Sequence, residues 1–392
     1  MPNTMDNKIK DKLRLQIELT SNCNSTCQGC SRFVSKSDIV NPNIKIGNKG
    51  NMTEDMWKSI FDDQRITDKL NTLSLTGAYG DFMLHPKALE FIDYALKKSK
   101  NIKNFFIETN GGLHNTSWWK KLAKYDVKVR FAFDGIDDET HQRYRRGVNF
   151  NKVLENAKAF KEAGGHTTWA MIEFQHNIHQ IEQAKKIASE LGFKFTLKNN
   201  RIIQHTNYKG EVKNEYKDRK PLERKKDLNN EGVEYDEANK EEILSYANKL
   251  KFNSQREYDN FSDVTCRWGL QNKFNIDYDG RISRCCFFSS MYHRQPDFTD
   301  YNKGPNFYRS RMKMERKNGY NWYLKKYGFE FNSLKKNNIY DILTHEFFTD
   351  ALPDSLKNTT FSKNNPRVTT CPKFCGEIQT EYKVTRGLQI NE

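Results

Sequence analysis

Apolar Leu13, Leu15, Ile17 and Leu19 alternate with polar Arg14, Gln16 and Glu18. A period of two predicts a strand with one apolar and one polar face. The period changes after Thr53, a capping residue followed by acids, where Met56, Trp57, Ile60 and Phe61 share one side of a helix. The two periods then keep exchanging. Residues 73–76 read as a strand ending at Gly77, and a helix after Pro86 turns Ala88, Leu89, Ile92, Ala95 and Leu96 inward. Residues 104–108 read as a strand, Ser117 opens a short helix, and 127–133 read as another strand. Asn151 opens a helix with Val153, Leu154, Ala157 and Phe160 inward. A strand over 168–174 precedes Ile178, Ile181, Ala184, Ile187 and Leu191 at helical spacing, and 193–197 closes the series.

Strands alternating with helices predict a parallel sheet. Right-handed crossovers curl such a sheet into a partial (β/α)6 TIM-like barrel, with the chemistry at the C-terminal strand ends. Glu18, Arg130 and Asp134 then face the lumen, either ion-paired with one another or in contact with a ligand. Residues 201–261 form a charged connection, helical over 237–250. Residues 273–283 (KFNIDYDGRIS) read as a hairpin turning at Asp279-Gly280. The expected organisation is a flexible N-terminus (1–12), a barrel (13–200), the connection, and a small α+β domain (262–392).

Composition narrows the class. In 392 residues only 36% are hydrophobic, and no apolar run is long enough to span a bilayer. The first twelve residues lack the apolar core of a secretory signal. A cytoplasmic protein is expected, in which eight cysteines serve as metal ligands rather than disulfides. A formal charge of +15 admits nucleic acid as a partner. The lysines are dispersed, however, and the best basic run is 309–317 (RSRMKMERK), so that partner is not favoured.

Cys23-Asn-Ser-Thr-Cys27-Gln-Gly-Cys30 follows the first strand directly. Soft thiolates select iron–sulfur clusters or zinc. A structural zinc needs a fourth ligand, and the next histidine is as far away as His85. Three thiolates can instead hold three irons of a [4Fe–4S] cube and leave the fourth iron open. The C-x3-C-x2-C loop resembles that of the radical S-adenosylmethionine (SAM) superfamily.

Further segments carry the resemblance. Gly77-Ala-Tyr79-Gly80-Asp81 matches the glycine-rich turn whose backbone holds the SAM ammonium, although the family's usual form is Gly-Gly-Glu-Pro. Thr109-Asn110-Gly111 closes the third strand near the adenosine position. Phe131-Ala-Phe-Asp134-Gly135 resembles the family's Ser-(apolar)-Asp-Gly strand end, with Ala132 in place of serine. The downstream arginine that pairs with the SAM carboxylate is Arg145, ahead of Arg146, and Asn177 is a further candidate. Cys266, Gly280 and Cys285 fit the opening C-x(9–15)-G-x4-C of SPASM and twitch domains, and Cys371 and Cys375 complete four thiolates. Zinc on these four is the alternative, and Cys286 is left over.

The resemblance implies an enzyme that reductively cleaves SAM and abstracts hydrogen from a substrate. It implies one auxiliary [4Fe–4S] cluster besides the SAM-binding one. A flavodoxin or ferredoxin is the expected electron donor, and a peptide or small metabolite undergoing oxidation or crosslinking the expected substrate. An RNA-modifying enzyme and a non-catalytic metal-binding module are the competing readings.

Overall fold

The computed structural model describes residues 9–27, 30–33, 40, 44–174, 176–198, 260, 262–293, 320–359, 362–368 and 370–375. The helix expected at 237–250 and the basic run at 309–317 lie outside them, as does nearly all of the connection. Six strands form in the expected order and pair in parallel with their chain neighbours. They are β1 (Leu13–Ile17), β2 (Leu70–Leu75), β3 (Asn104–Thr109), β4 (Lys128–Ala132), β5 (His166–Ile172) and β6 (Lys194–Lys198). Between them lie helices α1 (Glu54–Phe61), α2 (Ala88–Lys98), α3 (Thr116–Leu122), α4 (Asp138–Tyr144), α5 (Phe150–Glu162) and α6 (Ile181–Glu190). No helix of the described residues is long and apolar enough to cross a membrane.

Local chemistry explains where the elements start. The Thr53 hydroxyl accepts the Met56 N–H, as expected. Ser117 and Asn151 do not open their helices. Asn115 and Asn149, two residues earlier in each case, supply the side-chain oxygens that accept the Trp118 and Lys152 N–H groups. On α2, Leu89 and Leu96 are only partly buried, and Phe91 takes the core position by stacking on Trp57 at 4.9 Å.

Leu13, Leu15, Ile17, Leu73, Leu75, Ile107, Val129, Phe131 and Trp169 are wholly buried under the helices. Their polar alternates face the other side. Lys198 Nζ lies 3.1 Å from Glu108 Oε2, although β6 and β3 are separated by β5 and β4. A flat sheet would hold those two strands about 14 Å apart. The contact across them shows the polar side to be concave, as in an open barrel.

The hairpin forms where expected, as β7 (Lys273–Ile276) and β8 (Ile282–Ser283), with Gly280 at φ +84° in its turn. Its placement is the larger finding. β7 pairs in parallel with β1, so the order is β6-β5-β4-β3-β2-β1-β7-β8 and the hairpin continues the barrel sheet. The expectation that Glu18, Arg130 and Asp134 pair among themselves does not hold. Arg130 bonds Glu108, its register neighbour, at 3.1 Å, while Glu18 and Asp134 lie beyond their strand ends and bind other groups.

Candidate functional site

The loop after β1 is anchored from several sides. Ser25 Oγ and the Thr26 N–H donate to the Arg146 carbonyl, and Arg32 Nη1 donates to the Cys23 carbonyl at 2.8 Å. Cys27 is buried, and Cys23 and Cys30 are partly so. Burial pushes the Cys23 thiol up to about 12, with the Asp81 carboxylate, Cys27 and Cys30 adding to the shift. Cys30 is pushed up to about 11 by burial and then by Cys27. The three sulfurs are thus within electrostatic reach of one another. Cys23 and Cys30 are therefore thiols in this structure, and a metal bound by them would displace their protons. Polar groups already point at the sulfurs. Ser25 Oγ is 3.0 Å from Cys27 Sγ, and Arg145 Nη1 and Asn110 Nδ2 are 3.7 Å from Cys27 and Cys23. Among the described residues no three His, Cys, Asp or Glu side chains converge on one point as a single ion requires. A cube attaches each thiolate to its own iron.

The turn after β2 is pressed onto this loop. A Cβ on Gly80 would lie 1.9 Å from the Thr20 carbonyl oxygen, so glycine alone permits the approach. Asp81 N–H then donates to the Asn22 carbonyl. The buried Glu18 carboxylate accepts the N–H groups of Tyr79 and Gly80 at 2.6 and 2.9 Å. The Tyr79 ring packs with Ile44 and Tyr278. Asp81, fully enclosed, accepts from the Asn110 N–H at 2.7 Å and the Thr109 hydroxyl at 2.8 Å. Burial raises its carboxyl against the pull of those donors. The turns after β2 and β3 are therefore locked together by one side chain.

Asp134 does the same for β4 and β5. It is fully buried and forms an ion pair with Arg145 Nε at 2.6 Å. Its other oxygen accepts the Ile172 N–H, also at 2.6 Å. Asn177 Nδ2 donates to the Asp134 and Ile172 carbonyls, closing the same junction. Burial opposes the Arg145 charge, but Asp134 and Cys27 outweigh it and hold the guanidinium firmly protonated. The structure thus brings Cys23, Cys27, Gly80, Asp81, Thr109, Asn110, Asp134, Arg145 and Asn177 to one end of the barrel.

Three supporting residues carried little sequence signal. His141, wholly buried, accepts the Asp134 N–H on Nδ1. Asn156 donates to the Gly111 and Leu113 carbonyls, fixing the turn after β3. Gln180 ties Asp137 and Thr140 to the Ile136 N–H. Asn156 was the legible one, as a polar residue set among the apolar positions of α5.

A second thiol group lies beyond the hairpin. Cys266 Sγ accepts the Gly269 N–H at 3.3 Å. The Cys285 thiol is raised by burial, then by Cys286, Cys375 and Cys266. Cys371 is raised by burial, then by Cys285, Cys266 and Cys375. Cys285 and Cys371 are thus each within electrostatic reach of the other three cysteines expected to act together, although no three of the four converge on one point among the described residues. A helix over Thr370–Cys375 puts two of them one turn apart.

The fold is an open α/β barrel with a three-cysteine loop at the C-terminal end of its first strand. Residues 17–196 match the family model of the Radical SAM superfamily, and this part of the chain is a radical SAM domain. The chain is 28% identical over 191 residues to the antilisterial bacteriocin subtilosin biosynthesis protein AlbA of Bacillus subtilis, covering 48% of this chain and 39% of that one. It is 25% identical over 186 residues to the tungsten-containing aldehyde ferredoxin oxidoreductase cofactor-modifying protein of Pyrococcus furiosus, covering 45% and 48%. The chain thus spans less than half the length of either relative. Among solved structures it is similar to Streptococcus suis SuiB bound to precursor peptide SuiA, at 18% identity and TM-score 0.46 over 71% of this chain and 61% of that one.

Proposed function

We propose that this protein is a radical SAM enzyme whose substrate is a peptide or a small metabolite. Cys23, Cys27 and Cys30 would hold the SAM-binding [4Fe–4S] cluster, and Cys266, Cys285, Cys371 and Cys375 one auxiliary cluster. When bound, the first cluster supplies the electron for reductive cleavage of SAM, and the radical so formed removes hydrogen from the substrate. The observation that supports the reading is the placement of Arg145 and Asn110 within 3.7 Å of Cys27 and Cys23, with Asp81 fastening Asn110 from the neighbouring turn.

The chain's own residues have separable tasks. Tyr79 and Gly80 have committed their N–H groups to Glu18, so the turn can offer an ammonium group carbonyl oxygen, the polarity it needs. Arg145 spends Nε on Asp134 and directs Nη1 at Cys27. Nη2 has no partner among the described residues, and it is the donor an incoming carboxylate would meet. Asn110, fixed through Asp81, sits beside the sulfur loop for polar contact with the nucleoside portion. Asn177 and His141 act through Asp134 as positioning residues. The bacteriocin relative's name favours a peptide, whereas the cofactor-modifying relative keeps a small metabolite in view.

The test is anaerobic reconstitution followed by reduction with dithionite in the presence of SAM, reading 5′-deoxyadenosine. Wild type is compared with a Cys23→Ala/Cys27→Ala/Cys30→Ala variant, with iron and zinc counted in both. Deoxyadenosine from wild type alone, with about eight irons from two clusters, is the expected result. A fully loaded wild type that binds no SAM would overturn the reading.

A further inference from the structure

The concave face of the barrel carries charge that the site at the strand ends does not use. Arg14 and Lys273 are register neighbours on β1 and β7, and Glu108 and Arg130 on β3 and β4. Lys128 is two residues before Arg130 on the same face, and Lys198 reaches in from β6 to Glu108. Within the strands, this face holds one acidic side chain, Glu108, and it is shared by Arg130 and Lys198. Arg14 makes no side-chain hydrogen bond or ion pair with any described residue, and its Nε is buried without an acceptor. Lys273 has no carboxylate partner among them either, and its Nζ lies 4.1 Å over the Trp268 ring. Among the described residues Lys128 donates only to Asn104, at 2.8 Å.

Buried or half-buried cations without counter-charges are costly unless something anionic is supplied. The carboxylates that follow β1 and β7 are engaged elsewhere: Glu18 accepts backbone N–H groups, and Asp277 accepts from Asn275 and Ser289. We infer that the lumen between Arg14, Lys273 and Arg130 is a binding site for an anionic group, carboxylate or phosphate, borne by the substrate. Burial lowers the Lys273 ammonium; Cys286 and Glu108 oppose that shift, and Arg14 and Arg130 add to it. Guanidinium and ammonium groups on rigid strands suit a planar or tetrahedral oxyanion. The inference rests on the substrate entering the lumen beneath the SAM site, but the anion site can be tested without any SAM chemistry.

Reconstituted protein without SAM is titrated calorimetrically with two probes, inorganic pyrophosphate and a penta-glutamate peptide. Saturable binding of one probe identifies phosphate or carboxylate as the ligand chemistry. Arg14→Gln/Lys273→Gln should weaken that binding at least tenfold, whereas Lys120→Gln/Lys121→Gln, which removes the same charge from exposed α3, should leave it unchanged. Acetylation of Lys273, followed by mass spectrometry on wild type, gives a readout independent of any variant's folding, and the bound probe should slow it at least fivefold. Absence of saturable binding of both probes would overturn the inference. So would equal weakening by the two double variants, or Lys273 acetylation indifferent to the probe. None of these readouts involves SAM cleavage, so failure here and failure of the radical reading are separately visible.

Discussion

Replacing Asp134 with asparagine removes a charge while keeping the shape. The residue is fully buried and makes two 2.6 Å contacts, one to Arg145 Nε and one to the Ile172 N–H. Asparagine Oδ1 can still accept from Ile172, so that bond survives. Its NH2 group would face the Arg145 Nε–H, donor against donor, leaving a guanidinium with no carboxylate. Breaking a buried pair from one side costs about 3–5 kcal/mol. Arg145 retains 19% side-chain exposure and can recover some hydration, so the lower end, about 3 kcal/mol, is expected. Asp134→Asn/Arg145→Met removes the stranded charge as well and should regain at least half of that loss. Urea unfolding of the three proteins at a common m-value reads both differences. Asp134→Asn within about 0.5 kcal/mol of wild type, or a double variant less stable than Asp134→Asn, would refute the reasoning.

Gly80→Ala should force the turn after β2 off the cysteine loop, because its Cβ would sit 1.9 Å from the Thr20 carbonyl oxygen. If the protein holds two clusters as proposed, iron retained after reconstitution should fall by about half, and an unchanged count would show that the two loops are not coupled. Glu108 is held at about 2, below its ordinary 4.5; burial alone would raise it, but Lys198 and Arg130 prevail. The stability it contributes is present above 4.5 and is lost as pH falls towards 2, so Glu108→Gln should flatten the acid limb of the stability curve in that window. Burial lowers His141 to about 4 from 6.5, and His176 likewise. The unfolded chain binds protons that the native one refuses, so stability falls as pH drops from 6.5 to 4, and His141→Gln should remove part of that slope. Denaturant midpoints across the pH range check both titration predictions.

The strands and helices were legible because each buried face has a strict period. Leu13, Leu15 and Ile17 can be inside only if Arg14 and Gln16 are not. The cysteine loop was legible because its ligands are local in sequence. Partnerships between residues far apart were not. Nothing in the alternation around Glu18 says that its carboxylate caps the N–H groups of Tyr79 and Gly80, more than sixty residues on. Nor does spacing show that Asp81 fastens Thr109 and Asn110, or that Arg130 prefers Glu108 to Asp134. Those choices follow from strand register and sheet curvature, which emerge only once the chain has closed. Helix starts slipped by two residues for a simpler reason. Asn115-Thr-Ser117 offers three capping side chains and Asn149-Phe-Asn151 two, and packing decides among them.

The hairpin joins what the sequence divides. β7 supplies Lys273 to the lumen through its pairing with β1, and the chain then turns through β8 to Cys285, further along the same hairpin segment. Cys285 faces the other thiols, while the neighbouring Cys286 bears on Lys273, so adjacent residues address the two regions. A substrate held by its anionic group against Arg14 and Lys273 would therefore lie on the hairpin that leads directly into Cys285, the residue proposed as an auxiliary-cluster ligand. Strand pairing fixes that geometry more tightly than a tethered domain could, because a slip of one residue would send Lys273 to the apolar face. If Cys285 holds an auxiliary cluster as proposed, the position of that cluster relative to the Cys23–Cys30 loop is set by β1, which leads into the loop and pairs with β7.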